Sequence, residues 1–144
     1  MKLKKGDVLR ATEDVLVFTA NSYINASGRL VMGRGAAKSF SIAHPELPLL
    51  AGNRVTEFCG HLGVYGFLMI TRTVGAFQVK RSFREEASLD LIAYACKRLD
   101  EWSIVAGVTV GMNFPGIGNG WLERDQVEPV IRRYLGDRIV VYYL

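Results

Sequence analysis

The most regular pattern of apolar and polar positions lies in "EEASLDLIAYACKRLDEW", residues 85–102. Leu89, Ile92, Cys96 and Leu99 recur at the spacing of one helix face, with acids at the start and Lys97 and Arg98 nearer the end. Period and charge order together predict an amphipathic helix. A second helix is predicted over "QVEPVIRRYL", where Val127, Val130, Ile131, Tyr134 and Leu135 share a face. Asp125 and Glu128 have the spacing of a capping box, and Pro129 is tolerable if it lies in the first turn. A third, over "AAKSFSIA", must stop near His44, because Pro45 disfavours helical geometry in the residue before it.

Other segments carry a strand pattern. "DVLVFTA" and "VAGVTVGMNF" are almost continuously apolar, as strands covered on both faces are. "DVLRA" reads as a short strand near the start and "RIVVYYL" as one closing the chain. "VYGFLMITRTVGAFQVKR" reads as two strands around "TVGA", with Gly75 marking the turn. Apart from that hairpin, strands alternate with helices, which predicts an α/β fold with a mixed sheet. Ligands in such folds bind at the carboxyl ends of strands.

Composition narrows the classes. A chain of 144 residues fits one domain, 1–144, with a real core. With 49% apolar and 22% charged residues it is globular, not disordered. A net charge of +4 favours anionic partners, nucleotides and nucleic acid among them. Cys59, Cys96, His44 and His61 form no metal-ligand pattern, so neither a metal nor a cofactor is expected. No apolar run reaches membrane-spanning length, and "MKLKKGDVLRAT" lacks the apolar core of a signal peptide. The expectation is a cytoplasmic protein without a membrane partner.

The candidate chemistry sits in two glycine-rich loops, "MGRGAA" (32–37) and "GIGNGW" (116–121). Each follows an apolar strand and precedes a helix. Alternating glycines can turn successive backbone N–H groups toward one point, and a helix N-terminus adds its partial positive charge. Two such loops on neighbouring strand ends can grip a diphosphate from both sides. "GIGNGW" has neither the Lys-Ser/Thr ending of a P-loop nor the spacing of a dinucleotide fingerprint.

These segments resemble those of macrodomains. "KKGDVL" resembles their "GDI" opening, and "VFTANSYINASGRLVMGRGAAKSF" resembles the Asn-containing strand end and "MGxGIAxxF" loop of one branch. "FQVKRSFREEASLDLI" is similar to that branch's "FPTKxHWRxxSxxxI", and "FPGIGNGWLERDQVEPVI" to "PxxGCGNGGLDWxxVxPLI". The branch includes terminal ADP-ribose glycohydrolases and antitoxins that remove ADP-ribose from DNA. The resemblance implies a three-layer α/β/α fold and binding of ADP-ribose or an ADP-ribosylated macromolecule. It places Asp7, with Val8, at the adenine and Asn21 beside the distal ribose. It places Gly33, Arg34 and Gly35 on one side of the diphosphate, and Gly116, Ile117, Gly118, Asn119 and Gly120 on the other. Trp121 replaces a glycine of the pattern, where it either shields the distal ribose or packs on the sheet.

For catalysis the resemblance implies a lysine, matched by Lys80, working with an acid whose position falls on Gly120. Glu123 stands where antitoxin-like members have Asp. Asn21, Lys80 and Glu123 are therefore the candidates, and the broken pair predicts slow turnover that rests on Asn21. A reader without turnover is the alternative. A nucleic-acid-binding module using "VKRSFR" is a third reading, because basic residues flank Phe83.

Overall fold

A computed structural model describes residues 1–144. Six strands form one sheet: β1 (Lys2–Lys5), β2 (Val15–Ala20), β3 (Phe67–Met69), β4 (Val74–Gln78), β5 (Val110–Asn113) and β6 (Ile139–Tyr143). Their order across the sheet is β1-β6-β5-β2-β4-β3. All neighbouring pairs are parallel except β3 and β4. Four helices accompany it: α1 (Gly35–Ala43), α2 (Leu47–Phe58), α3 (Leu89–Ala106) and α4 (Arg124–Tyr134).

The apolar strands are covered on both faces because successive side chains point opposite ways. On β2, Val17 joins a core with Ile92 and Leu99 of α3 and Val127 and Ile131 of α4. Its neighbour Phe18 joins a second core with Phe40 of α1 and Leu47, Ala51 and Val55 of α2. The result is the expected three-layer α/β/α arrangement with a mixed sheet. Helix α3 starts at Ser88, whose hydroxyl accepts from Leu91 N, and stops at Gly107 in the left-handed conformation (φ 68°).

Several local expectations are corrected. "DVLRA" is a single 3-10 turn, Val8–Arg10, because the Asp7 carboxylate accepts from Leu9 N (3.0 Å) and curls the chain. The strand near the start is β1 instead, a lysine-rich edge strand whose pattern gives no apolar signal. Gly75 lies inside β4 opposite Met69; the hairpin turns at residues 70–73, where the Thr71 hydroxyl accepts from Val74 N. The capping box of α4 is Glu123 with Gln126, so Pro129 falls in the helix interior. Pro129 and Asp125, whose carbonyl loses its helical donor, are both exposed, so that carbonyl faces solvent rather than the core. Helix α2 had no counterpart among the predicted elements, although Leu47, Ala51 and Val55 share its buried face.

Candidate functional site

The chain reverses its direction of travel along the sheet between β2 and β5. After β2 it crosses to α1 on one face, and after β5 to α4 on the other. The carboxyl ends of these two strands therefore diverge and open a crevice, the usual ligand position in such sheets. Asn113 ties the two ends together. Its Oδ1 accepts from Thr19 N (3.0 Å), and its Nδ2 donates to Thr19 Oγ1 (2.9 Å).

Both glycine loops border this crevice. It is described by two adjoining cavities, about 350 Å3 and about 530 Å3, which share Gly35, Ala36, Asn113, Ile117 and Asn119. The loops nearly touch, since a Cβ on Gly35 would lie 3.3 Å from Asn119 Nδ2. Gly35 (φ 60°) opens α1, so the first loop runs directly into a helix N-terminus. Gly118 (φ 64°) begins a 3-10 turn, Gly118–Gly120. Gly116 serves packing instead, because a Cβ there would meet Ile92 Cδ1 at 2.7 Å.

The larger cavity holds one end of the cleft. Asp7 and Val8 line it together with Tyr143 and Gly118. One oxygen of Asp7 is committed to the turn it caps, and the other projects from an exposed residue. The smaller cavity holds the other end, lined by Asn21, Gly33, Arg34, Lys80, Phe83 and Trp121, among others. Its charged lining residues are Arg34 and Lys80, without a carboxylate.

The three candidates for chemistry separate here. Asn21 is only 6% exposed. Its Oδ1 accepts from Tyr23 N (2.9 Å) and its Nδ2 donates to Val31 O (3.1 Å), which holds the first loop against the end of β2. That leaves one amide hydrogen and one lone pair of Oδ1, on a side chain already committed to bracing the first loop. Glu123 lines neither cavity. It is the N-cap residue of α4, where its backbone N–H donates to Gln126 Oε1 (2.9 Å) and its backbone carbonyl accepts from Gln126 N (3.0 Å). Lys80 projects into the cleft and donates from Nζ to Asn119 O (2.9 Å) and Glu85 O (3.2 Å). Burial, then the nearby Arg34 guanidinium, pull its pKa below the ordinary lysine value, with Glu85 opposing.

Gly120 is crowded, so an acid there requires Ala87 to give way by a few tenths of an ångström. It is buried, and a Cβ there would lie 3.0 Å from Ala87 Cβ. Trp121 is 65% exposed and lines the cleft, so of its two expected placements the sheet-packed one is excluded. Its backbone is left-handed (φ 63°), a conformation that suits the glycine of the pattern better than a bulky side chain. Trp121→Gly should therefore leave stability within about 1 kcal/mol of the parent in urea unfolding, whereas truncating a buried aromatic costs about 3–5 kcal/mol. A larger loss would show that the indole is part of the core.

At the rim of this end the sequence pointed to Phe83 and its basic neighbours but not to Tyr23 and His61 beside it. Tyr23 stands edge-on to His61 (4.8 Å between ring centres) and to Phe83 (4.9 Å), and the Arg84 guanidinium lies 5.2 Å from the Phe83 ring centre. His61 and Phe83 are 22 positions apart in the chain, and no local pattern links them.

No protein-family model matches the chain, and no curated protein matches it in sequence. Solved structures do match. The macrodomain of Thermus aquaticus DarG superposes with a TM-score of 0.75 at 22% identity, over 98% of this chain and 95% of that one. The macrodomain of Mycobacterium tuberculosis DarG gives 0.73 at 23% identity, over 99% and 97%. Thermosipho africanus DarTG, solved in complex with ADP-ribose, gives 0.78 at 18% identity, over 97% of this chain and 40% of that one. At these identities a likeness establishes architecture, and the architecture of this chain is the macrodomain fold.

Proposed function

We propose that the cleft binds ADP-ribose and that the protein removes ADP-ribose from a macromolecule, with Lys80 carrying the chemistry. The carrying observation is the joined cleft. It offers a carboxylate at one end, two glycine loops in the middle, and an amine of lowered pKa at the other. That sequence of groups suits an adenine amino donor, a diphosphate and a reactive ribose in turn. The structural likeness to a DarTG solved with ADP-ribose supports the same ligand.

Cleavage at the anomeric carbon breaks its bond to the acceptor and forms one to water. The water loses a proton and the departing acceptor gains one. Within the smaller cavity Lys80 is the side chain placed to exchange a proton, because burial and the Arg34 charge lower its pKa. As the amine it takes the proton from the water, and as the resulting ammonium it returns one to the acceptor. The reader reading loses ground, because an amine partly desolvated inside the cleft is costly to keep for binding alone.

Nucleic acid is the acceptor that the rim favours. Phe83 is 42% exposed, beside Tyr23 and under Arg84. Exposed rings with a guanidinium neighbour stack nucleobases and contact phosphates. Release of ADP-ribose from modified single-stranded DNA, compared with modified protein, is the test. No release from either returns the chain to a reader.

Ligand polarity has its own test. Asp7→Asn keeps the oxygen that caps the turn but removes the charge and presents an amide donor to the adenine amino group. ADP-ribose affinity should fall by about 1–3 kcal/mol in calorimetry, with melting unchanged. Unchanged affinity would place the adenine elsewhere.

A further inference from the structure

Behind the reactive end of the cleft lies a buried polar cluster that the proposed chemistry does not touch. Gln78 is 0% exposed at the end of β4, two residues before Lys80. Its Oε1 accepts from Tyr65 N (2.8 Å) and Gly66 N (3.0 Å). The two hydrogens of its Nε2 serve Gly63 O (2.9 Å) and Ser22 Oγ (3.1 Å), with Lys80 O (3.3 Å) as a longer, shared acceptor. One amide thus gathers two other segments, Ser22 and residues 63–66, onto the backbone that carries the lysine.

The partners close the circuit. Ser22 N and Oγ both donate to Arg81 O, at 3.1 and 3.3 Å. Tyr65, fully buried, donates its hydroxyl to Asn21 O at 2.8 Å. The segments bearing Asn21 and Lys80 are therefore fixed to each other through Gln78, Ser22 and Tyr65. None of these three side chains lines either half of the cleft. A glutamine is an unusual occupant of a fully apolar strand. It is tolerated because the amide satisfies both of its ends, and such a network specifies a single arrangement. "FQVK" also departs here from the "FPTK" of the resembling branch, and proline could make none of these bonds.

We infer that Gln78 is a positioning residue for Lys80, holding the lysine backbone so that Nζ stays inside the cleft between the second glycine loop and the 81–87 segment. The inference rests on the proposed role of Lys80 in turnover. Without this anchor the lysine swings toward water, away from Arg34, and regains ordinary solvation. Arg34 and Glu85 are the charged groups that face it.

The test compares Gln78→Met with Ile131→Val, a core truncation on the opposite face of the sheet, which lowers stability without touching this cluster. The first measurement is titration of the Lys80 side chain by carbon-13 NMR, its signal assigned by its loss in Lys80→Arg. It needs no substrate. The second is the split between kcat and KM for release of ADP-ribose. In Gln78→Met the Lys80 titration should move up toward the ordinary lysine range, and kcat should fall about tenfold or more with KM within about threefold. Ile131→Val should move neither. Should Gln78→Met fail to fold, Ser22→Ala removes one bond to Gln78 and one to Arg81, and should shift both readouts the same way by less. An unmoved Lys80 titration in a folded Gln78→Met, or in Ser22→Ala if Gln78→Met does not fold, overturns the inference. If the parent shows no turnover, the proposed activity fails, and the titration still decides whether Gln78 positions Lys80.

Discussion

Gly118→Glu is expected to abolish ADP-ribose binding in calorimetry while the protein remains folded. Gly118 stands at the start of the 3-10 turn on the wall shared by the two glycine loops. A Cβ there meets nothing within 4 Å, so the new side chain has room and does not disturb the core. The backbone is left-handed, with φ at 64°, which costs a non-glycine residue about 1–2 kcal/mol. That loss is tolerable for a domain of ordinary stability. The carboxylate then competes for the backbone N–H groups that would face the diphosphate and repels the ligand's charge. Two like charges a few ångströms apart in a partly desolvated cleft oppose each other by about 4 kcal/mol, so affinity should fall roughly a thousandfold or more. Affinity within a few-fold of the parent, in a variant with normal melting, would show that the diphosphate is held elsewhere.

The second large effect is on turnover. Lys80→Ala should lower the rate of ADP-ribose release by about 10²–10⁴-fold, the usual contribution of a positioned acid-base group. Lys80 also ties Asn119 O to Glu85 O, so alanine alone would confound chemistry with loop order. Lys80→Arg separates them. A guanidinium keeps the charge and the donors but does not give up its proton. It should therefore retain ADP-ribose affinity within a few-fold and remain as inactive as alanine. If Lys80→Arg is active, the residue orders the loop and does not exchange a proton.

The direction of the pKa shift adds a pH signature. The amine is the working form, so turnover should rise with pH through a midpoint below that of an ordinary lysine and level off above it. The stability effect has the same sign. The folded pKa is lower than the unfolded one, so the folded state carries an unfavourable charge at low pH. That cost is relieved as pH climbs from the folded pKa to the unfolded value. A rate that falls as pH rises through this window would contradict the amine as the active form.

Much of the scaffold was legible because burial imposes periodicity. Val17 and Phe18 had to be apolar together, since β2 is covered on both faces. The faces of α3 and α4 repeat at helical spacing for the same reason. Both glycine loops were legible as well, and the chain order placed them after strands. Two elements escaped. Strand β1 is an edge with three lysines, which masks its strand character. Helix α2 does carry an apolar face, Leu47, Ala51 and Val55, and its Pro48 lies in the first turn, where proline is accepted, yet no predicted element covered it.

The site's working parts were legible as residue types but not as roles. Sequence supplied Asn21, Lys80 and Glu123 as candidates and rested turnover on Asn21. Only the folded chain distributes them, because a side chain's role depends on which groups reach it, and those come from distant segments. Asn21 is engaged by Tyr23 and Val31, Glu123 by the end of its own helix, and Lys80 by Asn119 across the cleft. The missing acid at Gly120 is visible in sequence, while the residue that crowds the position, Ala87, lies 33 positions earlier. By itself the sequence determined the layers, the two loops and the ligand class they suit, because local spacing and burial encode them. Tertiary structure alone decided which polar group is free to act and which is held, because hydrogen bonds between segments far apart in the chain leave no local pattern.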